Sequence, residues 1–260
     1  MRIQEQLGAD IIMQLDQCAP YPATREFVAE AVERSAGWGE RCLVAHTRMP
    51  ASVTPGLSRG LQTPQSHDSQ QFFGIVQGGA YADLRAESVE RIGGLDFDGF
   101  GIGGYSVGEP HELMFENLPD VAAALPVDKP RYLMGVGNPT TILEAIGACV
   151  DMFDCVLPTR TARMGTAFSS VGRMNLRNAQ YAHDFGPFDP RCNCDTCTHS
   201  SRVYLRHLVT TKEMLGAILL SQHNLHYLLD LTAQARAAIE AGEYGAFLAN
   251  WKASPAANDY

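Results

Sequence analysis

Apolar and polar positions along the chain follow two alternating rhythms. Short apolar runs are succeeded by longer stretches whose apolar residues recur at helical spacing. The runs are Asp10 to Leu15, Phe72 to Val76, Phe97 to Ile102, Arg131 to Val136, and the segment around Met152-Phe153 that leads into Asp154. Between them, helical patterns cover Ala23 to Ala45, Tyr81 to Ile92, His111 to Leu125 and Thr140 to Cys149. The first follows Pro22, a residue suited to a helix's first turn. In the second, Leu84, Ser88, Val89 and Ile92 share one face. The stretch Met49 to Gln71, with Pro50, Pro55, Gly56, Gly60 and Pro64, predicts a long exposed loop. After Pro187 the pattern changes to a cysteine cluster, then to a near-continuous helix from Arg202 to Asn250.

This β-α-β-α order predicts a parallel sheet with helices outside it. The unit recurs roughly every 25 to 35 residues, as in a (β/α) barrel. Five βα units are readable in the sequence, whereas a complete barrel has about eight. A doubly wound sheet has the same local pattern and stays open at this point.

Each run ends in a polar or glycine-rich tip: Asp16, Gln77-Gly78-Gly79, Gly103-Gly104, Gly135-Val136-Gly137 and Asp154. In a barrel these tips face one side, where active sites form, so they are expected to converge. Around Asp154, Pro158 is expected to break regular structure and leave Arg160 and Arg163 in a loop. Arginines there can hold a polyanion beside a rigidly held carboxylate. By itself the stretch reads more readily as a surface aspartate neutralised by its neighbours.

Composition narrows the class. Apolar residues make up 45% and charged residues 19%, as in soluble globular proteins. No apolar run is long enough for a membrane span, and Met1 to Gln6 has no apolar signal-peptide core. A cytoplasmic location without membrane contact is expected. The net charge of −9 argues at first against a nucleic-acid partner. Its distribution changes that view: Cys155 to Lys212 has eight basic and three acidic residues, net +5, and the remainder carries −14. An acidic body with one basic segment can dock a polyanion on a single face.

Seven cysteines, an odd number without an export signal, argue against a disulfide framework. Cys192, Cys194 and Cys197 form a C-x-C-x-x-C cluster typical of tetrahedral zinc. A fourth ligand is needed, and His199, His207, His223 and His226 follow. His199 would strain the loop. His223 opens an apolar helical run that can carry it back over the cluster. Four protein ligands leave no open position, so the ion would be structural and a zinc-dependent hydrolase is disfavoured.

Four longer motifs carry a family resemblance. They are Phe153-Asp154-Cys155-Val156-Leu157-Pro158-Thr159-Arg160, Phe73-Gly74-Ile75-Val76-Gln77-Gly78-Gly79, the segment Gly101 to Glu109, and Tyr132-Leu133-Met134-Gly135-Val136-Gly137. Together with the cysteine pattern and a histidine 26 residues after its last member, His223, they resemble the tRNA-guanine transglycosylases from Met1 to about Trp251. The resemblance implies an α/β fold: a (β/α)8 TIM-type barrel, here incomplete at its N-terminus, with a zinc-binding subdomain near the C-terminus. It divides the chain into a partial barrel over 1–185 and a zinc-binding subdomain with C-terminal helices over 186–260.

The activity implied is exchange of guanine at the anticodon wobble position of tRNA for a 7-deazaguanine, in a homodimer. Bacterial members take 7-aminomethyl-7-deazaguanine and eukaryotic members queuine. Asp154 is then the nucleophile that attacks ribose C1′. Asp16 reads the guanine edge, Gln77 and the Gly104 backbone hold O6, Met134 and Tyr105 cover the base, and Glu109 supports the 104–106 loop. Arg160 and Arg163 grip anticodon phosphates, and Cys192, Cys194, Cys197 and His223 hold one structural zinc ion. Cys18 favours the bacterial type. Leu15-Asp16-Gln17-Cys18 departs from the usual Phe-Asp-Glu-Cys, and Tyr105 stands where leucine is common. Family members carry a long N-terminal region with a general acid/base aspartate in a His-Ser-Asp-x-Gly-Gly-type motif, which this sequence does not contain. An N-terminally truncated, impaired transglycosylase is therefore expected. The alternative is a non-catalytic tRNA-binding or partner subunit.

Overall fold

A computed structural model describes residues 1–47 and 70–257. The long loop expected over Met49 to Gln71 lies outside the described residues up to position 69, and Gln71 already belongs to a strand. Two compact units divide the chain. One comprises Met1–Gly135 and Ala148–Phe153, the other Val136–Gly147 and Asp154–Tyr260.

The first unit is built on β1 (Ile11–Met13), β2 (Gln71–Val76), β3 (Gly99–Ile102), β4 (Arg131–Leu133) and β5 (Met152–Phe153). All neighbours are parallel and the order is β1-β2-β3-β4-β5. Strands paired strictly in chain order are those of a (β/α) barrel; a doubly wound sheet reverses its order partway. The buried residues Phe72 to Val76 and Gly99 to Ile102 explain why these strands read as continuous apolar runs. The helices of this unit are α1 (Arg2–Leu7), α2 (Arg25–Thr47), α3 (Ala82–Gly93) and α4 (His111–Ala124). The buried face of α3 has Leu84, Ser88, Val89 and Ile92, as its periodicity predicts, and adds Arg85.

At the N-terminal end of the sheet, Arg131 of β4 is buried. Its guanidinium donates to the carbonyls of Cys149 at 3.2 Å and Leu125 at 3.3 Å, and its backbone N–H donates to the Asp151 carboxylate at 2.8 Å. One side chain thus ties together the turns that lead into β4 and β5.

The second unit contains α5 (Pro139–Gly147), α6 (Leu157–Arg163), an antiparallel pair β6 (Thr166–Ala167) and β7 (Met174–Asn175), and α7 (Asp195–His199). It closes with α8 (Arg202–Thr210), α9 (Met214–Glu240) and α10 (Tyr244–Ala253). The expected continuous helix is therefore three. The breaks fall where Lys212 and Gly242 take left-handed φ angles of 61° and 71°. Pro158 does not break structure either: it lies in the first turn of α6, where its missing N–H costs nothing. Arg160 and Arg163 accordingly sit on a helix and not in a loop. Asn224 of α9, fully buried, accepts from the Phe168 N–H at 3.0 Å and donates to the Pro158 carbonyl at 2.8 Å, fastening α6 and the β6 strand to α9. Tyr244 and Trp251 of α10 donate to the Leu143 carbonyl and the Thr140 hydroxyl of α5. Among the described residues no helix is long and apolar enough to cross a membrane.

Arg131→Met keeps the side-chain bulk but removes its donors. We expect a loss of roughly 2–3 kcal/mol, read as a lower urea midpoint at unchanged slope. An unchanged midpoint would mean that the guanidinium contributes nothing to the sheet.

Candidate functional site

The tips of the first three strands meet. Asp16 lies just beyond β1 and is half-buried. Its carboxylate accepts from Nε2 of Gln77, the residue directly after β2, at 2.6 Å. Gln77 is itself buried, and its backbone N–H donates to the Ser88 hydroxyl of α3 at 2.9 Å. Gly103 and Gly104 follow β3 and press on the Gln77 amide. A Cβ on Gly103 would lie 2.5 Å from Nε2, and one on Gly104, whose φ is +73°, 2.6 Å from Oε1. Only glycine lets the backbone approach this closely.

Beneath the tips lies Arg85 of α3, 1% exposed. Its Nε donates to the Gly79 carbonyl at 2.8 Å, and its two Nη atoms donate to the carbonyls of Gly103 at 2.8 Å and Gly104 at 3.2 Å. The guanidinium carbon sits 3.6 Å from the ring centroid of Tyr105, which is buried. Beyond Tyr105, the Glu109 carboxylate accepts from the N–H groups of Ser106 and Val107, holding the loop in which Ser106 has φ 59°. Met134 directly follows β4 and is half-buried beside Gly101. A cavity of about 250 Å³ opens at this cluster, lined by Ala19, Tyr21, Tyr81, Gly104, Tyr105 and Glu109 among others.

Burial raises the pKa of the Asp16 carboxyl, and the hydrogen bond from Gln77 partly offsets this. Burial also raises the Cys18 thiol, as does the Asp16 charge, while the Gly104 N–H and the Arg85 charge pull it down. Among the described residues, the buried Gln77 Oε1 and Tyr105 hydroxyl have no hydrogen-bond partner. A carboxylate acceptor, a primary amide and glycine backbone at one place suit a flat ligand that presents N–H donors beside a carbonyl.

Asp154 directly follows β5 and is exposed; it belongs to the second unit, whereas Asp16, Gln77, Gly104, Tyr105, Glu109 and Met134 belong to the first. Arg160 and Arg163, three residues apart in the last turn of α6, lie on one side of that helix.

The metal ligands expected from the sequence come together. The sulfurs of Cys192, Cys194 and Cys197 and a ring nitrogen of His223 all lie within 4.8 Å of one another. Nδ1 of His223 is 3.7, 3.4 and 3.3 Å from the three sulfurs in turn. A tetrahedral ion with thiolate and imidazole bonds of about 2.3 and 2.0 Å requires nitrogen–sulfur separations of about 3.5 Å, so the donor set fits a metal ion. Nε2 of His223 lies 2.7 Å from the Phe168 carbonyl, which turns Nδ1 toward the sulfurs. Burial opposes protonation of His223, but its hydrogen bonds to the three sulfurs push its pKa up to about 12. Burial would raise Cys194, yet hydrogen bonds from His223 and the Cys197 N–H pull it down to about 6. Of the other candidates, His226 approaches only Cys192, at 3.7 Å, while His199 pairs with Asp195 and His207 is exposed on α8.

Arg85 is absent from the residues that sequence reasoning selects. A signal was there: it shares the apolar face of α3 with Ser88, Val89 and Ile92 at helical spacing. A charged residue on a buried face needs partners, and here they are backbone carbonyls.

The family model described as queuine tRNA-ribosyltransferase matches residues 1–256. A curated queuine tRNA-ribosyltransferase of Lysinibacillus sphaericus is 48% identical over 247 residues, covering 95% of this chain and 60% of its own length. One from Bacillus velezensis has the same identity and coverage. One from Desulforamulus reducens is 47% identical over 239 residues, covering 92% of this chain and 60% of its own. The chain thus spans about 60% of the length of these curated relatives.

Elemental analysis of the purified chain should find about one equivalent of bound metal. Cys194→Ala should lose it and melt at a lower temperature. Full metal content in that variant would exclude the four-ligand set.

Proposed function

The chain belongs to the queuine tRNA-ribosyltransferase family, and from that premise we propose that it takes part in base exchange on tRNA, as a tRNA-guanine transglycosylase of the bacterial type. The observation that carries this reading is the Asp16–Gln77 pair pressed against the Gly103-Gly104 backbone. Guanine offers two adjacent N–H donors and a carbonyl, the complement of that constellation. In this reading Asp16 accepts from the N–H edge of the base. Gln77 Nε2 turns from Asp16 to O6, which also receives the Gly104 N–H. Met134 covers one face of the base and Tyr105 bounds the pocket, while Glu109 keeps the 104–106 loop in shape.

Asp154 is the nucleophile. Its carboxylate oxygen bonds to ribose C1′ as the bond to guanine N9 breaks; guanine leaves with the bonding pair and takes up a proton from water, and the tRNA becomes covalently attached. N9 of the incoming 7-aminomethyl-7-deazaguanine then gives up its proton to water and bonds to C1′ as the ester bond to Asp154 breaks, which frees the carboxylate. A carboxylate suits this task, because it splits a hard displacement into two steps through oxocarbenium-like transition states. Arg160 and Arg163 hold anticodon phosphates, which position the strand without reading its sequence. Cys192, Cys194, Cys197 and His223 would hold zinc, whose preference for sulfur and nitrogen donors matches the set. With four protein ligands such an ion would cross-link the α7–α9 region and would have no open position for chemistry. The functional division is a barrel part over 1–185 and a zinc-binding part over 186–260, and the working form is a cytoplasmic homodimer.

Incubation with substrate tRNA should give a covalent adduct that survives denaturing electrophoresis, and Asp154→Asn should abolish it. Tight tRNA binding without any adduct from the unmodified chain would favour a non-catalytic companion subunit instead.

Base affinity should also depend on pH. Burial raises the pKa of Asp16 above 3.8, and only its ionised form accepts two hydrogen bonds from the base. Affinity for guanine should therefore climb as the carboxyl ionises, over a pH range displaced upward from the ordinary carboxylate value of about 4, with Asp16→Asn weak and flat throughout. A flat profile from the unmodified chain would remove Asp16 from the reading.

A further inference from the structure

Two buried arginines serve the sheet of the first unit, one at each end. Arg131 serves the N-terminal end, where barrels keep their stability residues, and Arg85 the C-terminal end, where they keep their chemistry. Among the described residues no carboxylate lies within ion-pair distance of Arg85, and its three hydrogen-bond acceptors are all backbone carbonyls. Burying a cation without a directly paired carboxylate is costly: burial lowers the pKa of Arg85, and the neighbouring Tyr105, Glu109 and Cys18 groups offset this only in part.

The peptide geometry indicates what the charge acts on. In a trans peptide the C=O and the following N–H point in opposite directions. Arg85 donates to the Gly103 carbonyl, so the Gly104 N–H points away from Arg85. It lies on the side of Cys18, two residues from Asp16, and it draws the Cys18 thiol pKa down against the effect of burial. The same holds one peptide later: Arg85 holds the Gly104 carbonyl, and the Tyr105 N–H points the other way. A guanidinium on the carbonyl end of a peptide polarises it and makes the N–H at the other end a stronger donor.

We propose that Arg85 is a positioning residue for base recognition: it fixes and polarises the Gly103–Gly104 and Gly104–Tyr105 peptides so that their N–H groups bind the O6 oxygen of the purine base. This rests on the base-exchange reading above. It adds a specificity element outside the pocket, because Arg85 reaches the base only through backbone. Tyr105, stacked on the guanidinium, holds the cation in register with the two carbonyls.

The test compares two ligands by calorimetry on the 260-residue chain: 7-deazaguanine, and its analogue with hydrogen in place of O6. The unmodified chain should prefer the O6-bearing base. Arg85→Lys should weaken 7-deazaguanine roughly tenfold to a hundredfold and the analogue less than about threefold, so that the preference collapses. Arg131→Lys, at the far end of the sheet, should keep the preference. Equal weakening of both ligands by Arg85→Lys would mean that Arg85 only supports the fold, and would overturn the proposal. Failure of the unmodified chain to bind either ligand would overturn the base-exchange reading and this inference together. If Arg85→Lys does not fold, nuclear magnetic resonance on the unmodified chain, labelled with ¹⁵N at arginine and glycine, decides. Adding 7-deazaguanine should shift the Arg85 Nε and Gly104 amide signals together, and the analogue should leave Arg85 unmoved. Bound 7-deazaguanine without movement of either signal would overturn the proposal.

Discussion

Parallel strands all end on the same side, and the backbone groups at their tips have no partner within the sheet. Every feature of the first unit's functional end follows from how that shortage is met. Arg85 reaches up from α3 and gives hydrogen bonds to Gly79, Gly103 and Gly104, which belong to two different strand tips. The Ser88 hydroxyl of the same helix takes the Gln77 N–H. One helix thus spaces the tips of β2 and β3, and that spacing lets the Gln77 amide press on glycine backbone within reach of Asp16. A longer or shorter donor at position 85 would move two loops at once.

The second unit solves a different problem with a similar economy. It has little sheet, and its cysteine loop has few regular hydrogen bonds to hold it. Helix α9 supplies the order through two adjacent buried residues. His223 meets the three cysteine sulfurs and the Phe168 carbonyl, and Asn224 bonds to the Phe168 N–H and the Pro158 carbonyl. The ion site and the start of α6, the helix bearing Arg160 and Arg163, are therefore set by successive positions on one helix.

Much of this was legible in the residues, for physical reasons. Strands buried on both faces must be apolar throughout, so β2 and β3 are plain in the sequence. Thiolates that share an ion must be close in the chain or be brought close, and Cys192, Cys194 and Cys197 are close already. The family motifs selected His223 from four histidines, and the coordinates agree. Other features left weaker traces. Lys212 ends α8 in a left-handed conformation that nothing in a lysine announces. Pro158 reads as a breaker unless the helix is known to begin there. The strands β6 and β7, two residues each, are too short to have a period. Arg85 leaves little trace in the sequence because charged residues are ordinarily solvated, and only its place on an apolar face marks it as an exception.

The Asp16–Gln77 hydrogen bond has a consequence for selectivity. A ligand entering there does not find idle polar groups; it must trade with two that already satisfy each other. Binding is then an exchange reaction, in which the gain is the difference between hydrogen bonds made and the one given up. A molecule that fits by shape but brings no donor for the carboxylate and no acceptor for the amide breaks a bond and replaces nothing. The toll falls on every entrant alike, and only a ligand with both functions side by side recovers it. Discrimination is thereby enforced by two side chains that hold each other until something offers better terms to both.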